Sequence, residues 1–321
     1  MRIMVTGGTG FVGRHLLREL RRQEFDVLLY ARRSSDIREA EQLGCAVFIG
    51  DLRDFSAVQA AVGQSEGIIH VGEIGFSVPN AQRLNVELVE QMLAAAQNNP
   101  RFRRFVSVSS ITVVSPPARS PANEDTPAAQ VISDAYTTYK REGEQALLAG
   151  GLPSTIVRGS TIYGPGAHYL LWLARWLRRC GRLGLPFPGR LDVKLPSIYV
   201  TDLARILAAS VRQEGEARIY NAVDDAGYTP RDAVRQLAEL LNAPMKLRQP
   251  PLCLQRALVA MADGIGRLLG KPPNADSVFQ YLLHDGVFSN ERFKSELGVA
   301  LEFASMREGL PSTASWIRRM W

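Results

Sequence analysis

Apolar residues in the first half of the chain alternate between two patterns. Short continuous runs occur at Arg2 to Val5, Phe25 to Ala31, Ala46 to Ile49, Gly67 to His70 and Phe105 to Val108. Such runs read as strands buried on both faces. Between them, Arg14 to Arg22, Phe55 to Val62 and Ala81 to Gln97 place apolar residues at helical spacing, as in Leu84, Leu88, Val89, Met92 and Leu93. A second helix is expected over Ala135 to Leu148, ahead of a strand from Ser154 to Val157. This alternation predicts a parallel sheet with helices on both faces and a ligand site beyond the carboxyl ends of the strands.

After residue 160 the pattern changes. Gly164-Pro165-Gly166 breaks the chain, and Leu183 to Pro196 is rich in Gly and Pro. Further strands are expected at Ile198 to Val200 and Arg218 to Tyr220, around a helix from Thr201 to Val211, with mainly helix from Thr229 onward. The expected division is a nucleotide-binding domain from 1–160 plus 196–224 and a smaller, mostly helical lobe from 161–195 plus 225–321. The Pro-rich segment from Ser115 to Pro127 reads as a flexible edge of the active site. In the lobe, Leu252, Leu254, Leu258, Val259, Met261, Ile265 and Leu268-Leu269 form a hydrophobic helical stretch, followed by Val278, Phe279, Tyr281, Leu282 and Leu283. They suit a hydrophobic substrate pocket, or equally the lobe's own core or a dimer face.

The first strand runs directly into Thr6-Gly7-Gly8-Thr9-Gly10-Phe11-Val12-Gly13 and then a helix. Strand, glycine turn and helix is the context that a dinucleotide phosphate needs. Gly7 permits the tight turn, Gly10 lets backbone approach the pyrophosphate, and Gly13 lets helix and strand pack closely, with the helix N-terminus facing the negative charge.

Composition narrows the class without changing it. The 321 residues are 46% hydrophobic and 22% charged, with a net charge of +6, which suits an anionic cofactor. No nucleic-acid motif appears, and no apolar run is long enough to span a bilayer. No leader peptide is expected, because the first strand starts at residue 2, so the chain is assigned to the cytoplasm. Cys45, Cys180 and Cys253 lack metal or redox spacing, and His15, His70, His168 and His284 are dispersed, so no metal is expected. Arginines concentrate at Arg175, Arg178, Arg179 and Arg182, around Tyr169 to Leu173 and Trp176-Leu177, and at the C-terminal Trp316 to Trp321. Basic helices with tryptophan can lie on membranes, but the expectation is a helix that packs its apolar side while its arginines face water.

Tyr136 and Lys140, four apart at the start of a helix, share one face. A phenol is a poor acid-base near neutrality, and a neighbouring cation lowers its pKa. Ser109-Ser110 ends the preceding strand and can aim the Ser110 hydroxyl at the same place. With these motifs in order, the chain resembles the extended short-chain dehydrogenase/reductase family, also called the NAD-dependent epimerase/dehydratase family. Gly50-Asp51-Leu52, His70-Val71, Leu84-Asn85-Val86, Arg158 with Ile162 to Gly166, and Tyr199 to Ala204 fall in the family's order as well. The resemblance implies a Rossmann-type doubly wound sheet. It implies Tyr136 as acid-base, Lys140 on the nicotinamide ribose, Ser110 polarising the reacting oxygen and Asn85 supporting the site. It also implies Asp51 and Leu52 at adenine, with Phe11, Val12 and Val71 lining the cofactor. Such proteins are commonly homodimers through two helices, here Ala81 to Gln97 and Ala135 to Leu148.

The strand Val27 to Ala31 ends in Arg32-Arg33-Ser34-Ser35 rather than in a carboxylate. A guanidinium fork suits a 2′-phosphate, so NADP(H) is expected over NAD(H), with Arg32 first and Arg33 second. Nucleotide-sugar members often carry Asn where Thr161 stands and Arg where Leu195 stands, beside Lys194. Both losses weaken a diphosphate site, although Lys194 or Arg190 could compensate. The leading expectation is an NADP(H)-dependent oxidoreductase of a carbonyl or secondary alcohol. The alternatives are a nucleotide-sugar epimerase or dehydratase, without net cofactor turnover, and a non-catalytic NADP-binding regulator, against which the intact Ser110, Tyr136 and Lys140 argue.

Overall fold

The computed structural model describes residues 1–128, 134–180, 183–268 and 275–321. Arg182 and Leu269, singled out above, lie outside these residues. Strands β1 (Arg2–Thr6), β2 (Asp26–Ala31), β3 (Ala46–Ile49), β4 (Gly67–His70) and β5 (Arg104–Ser110) alternate with helices α1 (Phe11–Arg22), α2 (Arg38–Gln42), α3 (Phe55–Gly63) and α4 (Ala81–Gln97). Helix α5 (Ala135–Ala149) and β6 (Ser154–Gly159) follow, then β7 (Thr161–Tyr163), α6 (His168–Cys180), β8 (Leu185–Pro186), β9 (Ser197–Tyr199), α7 (Val200–Ser210) and β10 (Arg218–Ala222). The remainder is α8 (Pro230–Leu240), β11 (Leu247–Arg248), α9 (Leu252–Leu268), α10 (Ala275–Tyr281), α11 (Glu291–Leu297) and α12 (Met306–Arg319).

Seven strands form one parallel sheet in the order β10-β6-β5-β4-β1-β2-β3. This is the doubly wound arrangement expected, with the order reversing at β1 and β4. The two-residue side-chain period explains both cores. Ile3 and Val5 meet Leu16, Leu17 and Leu20 of α1 and Leu207 of α7 on one face. Met4, between them, meets Val58 and Val62 of α3 and Leu88 and Met92 of α4 on the other.

Helix α1 starts at Phe11, not Arg14, because the glycine turn is short: Gly10 N–H donates to Gly7 O over 3.0 Å. Val200 is the first residue of α7 rather than the end of a strand. The lobe core joins α6, α8 and α12 through Leu170, Leu177, Leu237, Leu310 and Ile317. Two motifs tie this lobe to the sheet. The fully buried Asp202 accepts from Glu302 N at 2.8 Å, and Tyr163 Oη donates to Ser305 O at 2.9 Å.

The segment from Ser115 to Pro127 is pinned rather than loose. Ala122 N donates to Val287 O over 2.9 Å, and Glu124 Oε1 accepts from Asn221 N at 3.0 Å. The core reading of the lobe's hydrophobic stretch is corrected too: Leu252, Leu254, Leu258, Met261, Ile265 and Leu268 of α9 are all exposed. Of the residues after it, Phe279 alone is fully buried, while Val278 is exposed.

Candidate active site

The carboxyl ends of β1, β2 and β4 surround a cleft of about 480 Å³. Gly7, Gly10, Phe11, Val12, Gly13, Arg32, Asp51, Leu52 and Val71 all line it, with Ser35, Arg53 and Glu73. Arg33 is exposed and does not. A β-carbon on Gly13 would fall 2.1 Å from Gly7 O. One on Gly7, whose φ is +70°, would fall 2.6 Å from the Gly72 backbone. These positions accept glycine alone, and they bring bare backbone and the open end of α1 to the cleft floor. That surface fits a pyrophosphate. At the rim, bidentate hydrogen bonds from Arg53 hold the Asp51 carboxyl at about 2, helped by Arg32. Among the described residues Arg32 has no ion-pair partner, so its guanidinium is free for an anion.

Where β5 ends, Ser110 Oγ accepts from Thr112 N at 3.3 Å and Thr112 Oγ1 at 3.0 Å, which leaves the Ser110 proton to be donated elsewhere. Helix α5 starts at an N-cap, Asp134, whose Oδ1 accepts from Thr137 N at 2.9 Å. One turn carries Tyr136 and Lys140 to the same face, with Lys140 Nζ 5.7 Å from the Tyr136 ring centroid. Burial pushes the Tyr136 phenol up, and the Lys140 charge and a Ser110 hydrogen bond pull it back. Ser110, Tyr136 and Lys140 are thus brought together.

Glu73 was not anticipated. Its Oε1 lies 2.8 Å from Lys140 Nζ, which also donates to Val108 O at 2.8 Å. Burial works against the Glu73 charge, but Lys140 and a Tyr139 hydrogen bond prevail and hold its pKa below the ordinary value. Lys140 is raised in return: burial lowers it, and Glu73 and Tyr136 more than compensate. The sequence signal was present, since Glu73 is the sole charged residue between His70 and Ala81, just past the end of a buried strand. His70 itself is pushed down to about 4 by burial, with the Lys140 charge adding, so it is neutral at pH 7.

Asn85 is buried and holds the Glu73 loop. Its Oδ1 accepts from Ile74 N at 2.8 Å and its Nδ2 donates to Ile74 O at 2.9 Å. Because the Glu73 charge raises both Tyr136 and Lys140, a Glu73→Gln substitution is expected to move the Tyr136-governed limb of the kcat/KM–pH profile to lower pH. An unmoved limb in that profile would remove Glu73 from the site's electrostatics.

Gly159 pairs in register with Ser110, so Thr161 follows just past the end of β5. Tyr228 Oη donates to Thr161 Oγ1 over 3.4 Å, and burial pushes Tyr228 up to about 12. Leu195 is fully buried. Arg190 and Lys194 are exposed, and Lys194 lines a separate cleft between α8 and the start of α12.

A parallel doubly wound sheet with a glycine cradle at its switch point defines a dinucleotide-dependent class of enzyme. Residues 3–222 match the NAD dependent epimerase/dehydratase family, and the chain belongs to that family. It is similar to a 2-alkyl-3-oxoalkanoate reductase of Stenotrophomonas maltophilia, 27% identical over 97% of each chain. It is also similar to a ceramide reductase of Caulobacter vibrioides, at 28% identity over 98% of this chain and 94% of the relative. The fold is shared with a UDP-glucose 4-epimerase of Thermus thermophilus in complex with NAD, with a TM-score of 0.74 and 21% identity over 99% of each chain.

Proposed function

We propose that this protein is an NADP(H)-dependent oxidoreductase that interconverts a hydrophobic 3-oxo compound and its secondary alcohol. The observation that carries the reading is the convergence of Ser110, Tyr136 and Lys140 beside a glycine-lined cleft whose Arg32 has no ion-pair partner among the described residues. The nicotinamide, when bound, gives or takes the hydride. Tyr136 passes a proton to the carbonyl oxygen in reduction and removes it in oxidation. Ser110 directs its remaining proton at the same oxygen. Lys140 has three protons; two go to Val108 O and Glu73, and the third is left for the nicotinamide ribose. Its charge also lowers the cost of a phenolate at Tyr136.

Reduction is favoured over epimerisation because two near-full-length relatives are reductases. The buried, apolar Leu195 also offers no donor to a diphosphate. A homodimer through α4 and α5 fits the exposed Leu148 and Ala94 on those helices. Arg32→Asp is expected to weaken NADPH binding about 10- to 150-fold, the range of a hydrogen bond to a charged group, and to leave NADH binding intact. Titration of both cofactors by fluorescence checks this; equal NADPH affinity in the variant would assign the 2′-phosphate elsewhere.

A further inference from the structure

Helix α9 is amphipathic the wrong way round for a helix of a closed globule. Its polar residues Gln255 and Asp263 are buried against the lobe, with Gln255 accepting from Gly189 N at 2.6 Å. Leu254, Leu258, Met261, Ile265 and Leu268 recur at alternating spacings of four and three and form a stripe facing outward, Met261 being 56% and Leu268 88% exposed. Residues at that spacing share one helix face.

The surroundings are basic and aromatic. Strand β8 comes shortly after α6 and β11 shortly before α9, and their pairing brings these two stretches of chain side by side. Helix α6 contains no acidic residue and exposes Arg175, Arg178 and Arg179, together with Trp172 at 64% exposure. Arg248 and Arg256 are exposed at the start of α9, whose one carboxylate, Asp263, is buried. All four tryptophans of the chain lie on α6 and the C-terminal segment: Trp172 stacks on Trp176, Trp316 meets His168 edge-on, and the Arg178 guanidinium sits 4.8 Å from the Trp321 ring.

We propose that this face of the lobe docks on an anionic phospholipid bilayer, with the α9 stripe in the acyl boundary and the arginines at the headgroups. Exposed leucines, interfacial tryptophans and a rim in which arginines outnumber the exposed Asp276 of α10 complement such a surface. A second copy of the chain is disfavoured, because a two-fold contact would set the same arginines against each other. Among the described residues no helix is long and apolar enough to cross a membrane, so the attachment is peripheral. The docking stands independently of the reductase reading.

The test uses full-length protein with vesicles of phosphatidylcholine alone and of phosphatidylcholine with phosphatidylglycerol. Expected are co-sedimentation with the anionic vesicles, a blue shift of tryptophan emission, and release by high salt. A Leu258→Ser, Met261→Ser, Ile265→Ser variant, altered only at exposed positions, is expected to bind at least tenfold more weakly while keeping the parent's thermal unfolding midpoint. No vesicle binding by the parent protein, or undiminished binding by the variant, overturns the proposal. So does a variant whose sedimentation mass falls while the parent ignores vesicles, which would assign the face to a second copy.

Discussion

Tyr136→Phe is expected to lower kcat by about 10²- to 10⁴-fold, the usual contribution of a positioned acid-base group, with cofactor affinity unchanged. The substitution removes one oxygen and leaves the ring packed edge-on to Tyr139, so the fold has no reason to move. The loss should fall on kcat and kcat/KM together, because the proton is needed only as the carbonyl oxygen gains or loses charge. Steady-state kinetics with a cofactor titration alongside separates this from a structural effect. A variant within a factor of two of the parent would mean that some other group moves the proton.

The other large effect concerns stability. Arg158 gives Nη2 to Glu144 Oε2 at 2.7 Å and Nε to Glu144 Oε1 at 3.0 Å, and Ser109 Oγ donates to the same carboxylate at 2.5 Å. Both ionic side chains are over nine-tenths buried. Arg158→Met is therefore expected to cost about 3–5 kcal/mol, because it strands a buried carboxylate between β5 and α5. Replacing both partners, as Arg158→Met with Glu144→Gln, should recover part of that cost, since no unpaired charge remains. Denaturant unfolding of both variants decides the matter. A single variant as stable as the parent would show that the pair carries little, and a double variant worse than the single would contradict the stranded-charge explanation.

The α/β half was legible because its signals are local. Continuous apolar runs, helical periodicity and a glycine turn each act within a few residues, and the helix bounds of α4 were read to the residue. Tyr136, Lys140 and Ser110 were readable because one turn of helix and one strand end place them. Glu73 was not, since its partner Lys140 lies 67 positions along, and only the pairing of β4 with β5 and the seating of α5 against β5 bring the two together. Helix α9 misled for a different reason. Periodicity reports that one face is apolar but not which side of the helix meets the protein, and here Gln255 and Asp263 fix the inward side. The Pro-rich segment suggested looseness from composition alone, whereas Arg292 anchors it through Asp125 at 2.5 Å.

The central claim is net reduction of a hydrophobic ketone by NADPH at the Tyr136 centre. The most direct measurement follows the nicotinamide absorbance of the purified protein with NADPH and a series of 2-alkyl-3-oxo acids of increasing chain length, with UDP-sugars in parallel. The account predicts stoichiometric NADPH oxidation with the oxo acids and rates that rise with chain length. Conversion of a UDP-sugar without any net change in the nicotinamide, and no oxidation with the oxo acids, would contradict it.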